Sequence, residues 1–100
     1  MWHRVAELAE LAEETGREFV VNGRIVAVFK EGETVSAMDG ICPHAGGPLG
    51  EGSVQGGVVT CPWHGWQFHI ATGQHCLSPQ IRQTCFPVKV EDGAVYVELP

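Results

Sequence analysis

No stretch of this sequence approaches the run of about 18 apolar residues that spans a bilayer. The opening MWHRVAELAELAEETG holds four acids and no long apolar run, so it does not read as a secretory leader either. The expectation is a cytoplasmic protein with no membrane partner, in a compartment where cysteines stay reduced and bind metal more readily than they pair. Cations are scarce too. Six Lys and Arg stand against twelve Asp and Glu, a formal charge of -6, which excludes a nucleic-acid partner because phosphate binding needs clustered basic residues. Such an acidic surface serves solubility or meets a basic partner face. The third scarcity is local: across residues 40–79 the only charged side chain is Glu51. A single carboxylate rules out a calcium or magnesium site there, since those ions need several oxygen ligands.

What is present is enough for one domain. A chain of 100 residues, 44% hydrophobic and 18% charged, reads as globular, with a modest core. WHRVA (2–6) suits a short edge strand, and AELAELAEETG, closed by Gly16, suits either a turn or two of helix or a polar loop. In EFVVNGRIVAVFKEGETVSAM, Asn22-Gly23 is a hairpin signal, and Glu31-Gly32-Glu33 marks the next turn. At the far end Phe86, Val88 and Val90 alternate, Asp92-Gly93 turns, and Val95, Val97 and Leu99 alternate again. These flanks read as an all-β antiparallel barrel or sandwich base. The middle has no strand pattern between residues 40 and 57, where seven of the thirteen glycines lie. Glycine at that density implies loops with unusual dihedrals and close backbone approach. A loop-rich segment without ion pairs or apolar runs needs another source of order, and a metal centre supplies one.

The donors are there. Cys42 precedes His44 by two positions, Cys61 precedes His64 by three, and 16 residues separate the pairs. Thiolate and neutral imidazole suit zinc, copper(I) or an iron–sulfur cluster. Zinc accepts two cysteines and two histidines, but its usual modules group like with like. In a two-iron cluster the alternating order lets each loop give its cysteine to one iron and its histidine to the other.

The segments GICPHAGGPLGEG and CPWHGWQFHIATGQ, with C-x-H followed by C-x-x-H, resemble the Rieske iron–sulfur proteins over roughly residues 18 to 98. The N-terminal AELAELAEET fits that family less closely. The resemblance implies an all-β base over a single domain, 1–100, with a small inserted cluster-binding subdomain at about 40–80. It implies one [2Fe-2S] cluster per chain, with Cys42 and Cys61 on the inner iron and His44 and His64 on the outer iron. Replacing two thiolates by two neutral imidazoles removes negative charge, so the potential lies above the roughly -400 mV of all-cysteine ferredoxins. Respiratory and photosynthetic members carry an anchor, an extra cysteine in each loop and a serine after the second motif. Here the corresponding positions are Gly47, Trp63 and Trp66. Without that hydroxyl the expected potential falls to the low end of the family, roughly -150 mV.

The implied function is a ferredoxin, a one-electron carrier between a flavin reductase and a terminal oxygenase and not an enzyme by itself. Two other readings stand beside it: a small subunit of an assimilatory nitrite reductase, and a zinc-stabilised interaction module without redox role. The oligomeric state, the substrate served and the individual partners are not encoded legibly. Outside the motif, Cys76 and Cys85 read as small buried hydrophobes in preference to a disulfide. His3, His69 and His75 read as surface groups or neighbours of the ligands. Trp63 and Trp66 either pack the subdomain or form a docking face. Ser78-Pro79 either forms a third loop over the cluster or is a plain turn. Pro43, Ala45, Gly46, Pro48, Leu49 and Trp66 are expected to make an uncharged surface for a short-lived redox encounter.

Overall fold

The run IVAVF is a continuous apolar stretch, as a strand buried on both faces requires. That is its place in the computed structural model, which describes residues 1–42, 46–63 and 65–99. It lies in strand β3 (Arg24–Glu31). Val26 and Val28 face one core, with Leu11, Val21, Ala37, Phe86, Val95, Val97 and Leu99. Ala27 and Phe29 face the other, which contains Met38, Leu49, Val54, Val59, Phe68 and both motif cysteines, Cys42 and Cys61. One strand therefore carries the base on one face and the candidate metal centre on the other.

Around it the chain is antiparallel throughout its named strands. β1 (Trp2–Glu7), β9 (Val88–Glu91) and β10 (Ala94–Glu98) form a three-stranded sheet in the order β1-β10-β9. β2 (Thr15–Val21), β4 (Thr34–Asp39), β5 (Ser53–Gln55), β6 (Val58–Thr60), β7 (Gln67–His69) and β8 (Cys85–Phe86) join β3 in a seven-stranded sheet, ordered β7-β6-β5-β2-β3-β4-β8. The expected all-β architecture holds, and no helix among the described residues is long and apolar enough to cross a membrane.

The turn signals act as their chemistry requires. Asn22 and Gly23 take φ of 52° and 76°, and Asp92 and Gly93 take 51° and 77°. Both are two-residue hairpin loops whose left-handed pairs match the twist of the flanking strands. Two expectations change. Leu8–Glu10 forms a single 3-10 turn, and Gly16 lies inside β2 instead of ending a helix. The run of four acids among helix formers lacks a buried apolar stripe long enough to pay for more turns. Residues 40–57 are also not strand-free, since β5 begins at Ser53 and turns through Gly56-Gly57 into β6. Three-residue strands are too short for alternation to register in a sequence.

The segment holding β5 to β7 is docked on the base by specific bonds. Gly16 N–H donates to Gly52 O at 3.1 Å, and Val54 N–H donates to Glu14 O at 2.9 Å. Glu31, at the end of β3, accepts from Gly56 N–H at 2.7 Å and Gly57 N–H at 2.8 Å, so one carboxylate clamps the β5–β6 turn. Gly50 seats against Glu18, whose Cα would lie 2.9 Å from any added Cβ.

Candidate metal centre

Cys42 follows β4 and Cys61 follows β6, and the two loops they open close in the same way. Cys42 N–H donates to Gly47 O at 2.8 Å, and Cys61 N–H donates to Trp66 O at 2.7 Å. Each bond spans five residues. Four residues after each cysteine stands a glycine with left-handed φ, 74° at Gly46 and 72° at Gly65, a conformation that costs other residues steric energy. Two loops of equal closure thus present two cysteines. The predicted ligands His44 and His64 lie outside the described residues, as do Pro43 and Ala45. Among the described residues no group of three metal-capable side chains gathers.

Both cysteines are 1% exposed and both are free thiols. They sit side by side: burial pushes the Cys61 thiol upward, the Trp63 backbone N–H draws it down, and the neighbouring Cys42 pushes it up again. Two thiolates could not share this apolar site without a positive charge between them. Residues 40–79 contain no Lys or Arg to provide one. The donor set therefore fits a cationic metal centre, which deprotonates its thiols and releases their protons on binding. Space fits as well: a Cβ on Gly47 would stand 2.8 Å from Cys61 Sγ and 2.9 Å from Trp63 Cβ.

A third loop, residues 76–82, runs beside these two. Ser78 O accepts from Ile81 N–H at 2.9 Å, and the buried Gln83 amide donates to Asp39 O at 2.9 Å and to Ile41 O, tying the root of the third loop to the root of the first. Cys76 and Cys85 are half-buried free thiols, and burial pushes Cys85 upward against the pull of Arg82. Trp66 is half-buried and packs on Phe68, with ring centroids 6.4 Å apart, whereas Trp63 is 51% exposed. Trp66 thus packs the subdomain, while Trp63 stands exposed.

The expected uncharged face needs correcting. Leu49 is fully buried at 0% exposure and belongs to the core beneath the cysteines, because its short 3-10 turn points it inward. Pro48 is half-buried. Instead each loop offers a different apolar side chain: Ile41 at 48%, Trp63 at 51% and Leu77 at 87% exposure. Ile41 and Leu77 escaped the sequence reading because nothing in a lone aliphatic residue says which way it faces. Of the two histidines read as surface groups or neighbours of the ligands, His69 is exposed and His75 is buried.

Comparison with known proteins gives the same direction. The Rieske [2Fe-2S] domain family matches residues 1–92. The ferredoxin CarAc of Metapseudomonas resinovorans is 32% identical over 97% of this chain and 92% of its own. The solved ferredoxin of carbazole 1,9a-dioxygenase from Nocardioides aromaticivorans IC177 superposes with a TM-score of 0.92 at 27% identity, covering 100% of this chain and 99% of that one. A second solved structure, a complex of reduced oxygenase and oxidized ferredoxin in carbazole 1,9a-dioxygenase, contains a chain matching at TM-score 0.85 and 31% identity, over 99% of this chain and 97% of that one.

Proposed function

This chain belongs to the Rieske [2Fe-2S] domain family, and on that premise we propose that it is a one-electron carrier standing between a flavin reductase and a terminal oxygenase, in the cytoplasm. Its cofactor is a Rieske-type [2Fe-2S] cluster, which takes up and releases single electrons. Cys42 and Cys61 hold the inner iron, and His44 and His64 hold the outer one. The whole chain acts as one domain, with residues 40–80 as its cluster-binding subdomain.

The observation that carries this reading is the pair of thiols at 1% exposure in a segment with no basic side chain. Neutral thiols bury readily, but the deprotonated pair that ligates is stable in such a site only around a cationic centre. Similarity over nearly the full length of ferredoxins, one of them solved with its oxygenase, supports a carrier in preference to a zinc-stabilised module. Ile41, Trp63 and Leu77, in or beside the three loops, are exposed apolar side chains. The acids lie almost entirely outside that segment, with Glu51 alone inside it. A small apolar patch suits an encounter that must release quickly after the electron has moved.

Electron paramagnetic resonance of the dithionite-reduced protein tests the assignment. The expected spectrum is that of a mixed sulfur–nitrogen cluster, with a midpoint potential near the low end of the Rieske range, roughly -150 mV. A colourless protein containing zinc and no acid-labile sulfide would overturn it, as would an unaltered signal in His64→Ala.

A further inference from the structure

His75 is the buried ionisable side chain that electron carriage leaves without a role. It is 7% exposed. Its Nδ1 accepts backbone N–H bonds from Leu77 and Ser78, each at 3.0 Å. An imidazole nitrogen that accepts holds no proton, so the neutral ring carries its proton on Nε2. Nε2 is itself buried and has no hydrogen-bond partner among the described residues. The ring stands edge-on to Trp66, with centroids 4.7 Å apart at 83°, and to Phe68, at 5.2 Å and 86°. A buried donor without an acceptor costs stability that an apolar ring of the same size would not. What histidine offers here in return is Nδ1.

The two amides it caps belong to the third loop. Leu77 lines a cleft of about 200 Å³ together with Gly65, Trp66, Gln67 and His75, so that loop lies against the second cysteine loop. Trp66, on which His75 packs, gives its carbonyl to the Cys61 N–H.

We propose that His75 is a positioning residue for the cluster loops: through Nδ1 it pins residues 76–82 against Gly65 and Trp66 and holds Leu77 outward. The pinning stands on the geometry alone, while the use of Leu77 as a preformed partner contact rests on the electron-carrier reading. An apolar side chain fixed before contact loses less freedom on docking.

Hydrogen exchange on the cluster-loaded protein distinguishes a cap from mere filling. In the wild type the Leu77 and Ser78 amides are expected to exchange at least tenfold slower than in an unstructured peptide, although the Leu77 side chain is exposed. His75→Asn places an acceptor oxygen where Nδ1 stood and should keep that protection within about threefold. His75→Phe fills the aromatic slot without an acceptor and should lose it about tenfold. Iron release to a chelator should follow the same order, fastest in the phenylalanine variant. The reverse order, with phenylalanine near wild type and asparagine worse, would mean a packing role and would overturn the proposal. Unprotected Leu77 and Ser78 amides in the wild type would overturn it without any variant. Absence of iron and sulfide from the wild-type protein would sink the electron-carrier reading instead, and the exchange order would still decide the cap.

Discussion

Gly23 and Gly93 in the base and Gly47 at the cluster end are required for opposite reasons. In the base, Gly23 and Gly93 have left-handed φ and nothing within 4 Å of where a Cβ would stand. They are there for backbone conformation. At the cluster end, Gly47 would drive a Cβ to 2.8 Å from Cys61 Sγ. It is there for space. A hairpin turn is a local object that its own two residues specify, whereas a crowded glycine is defined by what comes to meet it. The base is thus held by strand pairing and burial, and the cluster end by loops that close around something.

The most severe way to break this comparison is to remove that something. Cys42→Ser deletes one of two adjacent buried thiols, and complete loss of visible absorbance and bound iron is expected. Hydrogen exchange should then rise by orders of magnitude across residues 40–49 and 61–66, while β3, β9 and β10 stay protected. Uniform unfolding would show that the two regions are one cooperative unit and that the distinction is false.

A matched glycine pair sharpens it. Gly47→Val meets Cys61 Sγ and Trp63 Cβ and should cut iron content several-fold while leaving the base melting transition near wild type. Gly23→Ala meets no atom but must adopt φ near 76°, which costs about 1 kcal/mol. It should lower the denaturation midpoint and leave iron content unchanged. Exchange of these two outcomes would refute the assignment of space to one and conformation to the other.

The same contrast explains how much could be read from the sequence. Asn22-Gly23, Asp92-Gly93 and the alternation of Val95, Val97 and Leu99 are local signals, and the hairpins stand where those residues place them. The C-x-H and C-x-x-H spacing stands out because metal ligands recur at short separations along a chain, and its two cysteines lie side by side in the core. Leu49 was misplaced because a single leucine in a glycine-rich loop carries no periodicity to say whether it faces the core. β5 was missed because three residues cannot alternate convincingly. Glu31 gave no signal at all. Its role is to accept two N–H bonds from a turn 25 and 26 residues away, and no local pattern encodes a partner at that distance.

That clamp gives the next test, at the seam between the two regions. Glu31→Gln replaces a carboxylate accepting from both Gly56 and Gly57 by an amide that can accept through one oxygen and opposes the second N–H with its own. A loss of about 1 kcal/mol is expected, because hydrogen bonds to charged groups are the stronger kind but this one is partly open to water. Exchange at Gly56 and Gly57 should rise before any change in β9 or β10. No change in either would mean that the backbone bonds from Gly16 and Val54 suffice to dock the segment.

Glu13 plays the corresponding part wholly within the base, and its effect is the smallest. Its carboxylate accepts from the Gly32 N–H at the β3–β4 turn and pairs with Lys30 at 2.9 Å. The Gly32 N–H chiefly, then the bond from Lys30, hold its carboxyl below the ordinary range. A depressed carboxyl contributes stability above its unfolded pKa, about 4.3 for glutamate. That contribution disappears as pH falls through the folded value. The denaturation midpoint of wild type relative to Glu13→Gln should therefore be higher near neutrality and converge as pH drops below about 4. Salt separates the two causes, since an exposed ion pair is screened within a Debye length of about 3 Å at 1 M. Most of the acid-side convergence should survive 1 M salt if the turn N–H dominates. Its disappearance at high salt would make Lys30 the main partner and leave the Gly32 turn to hold its shape unaided.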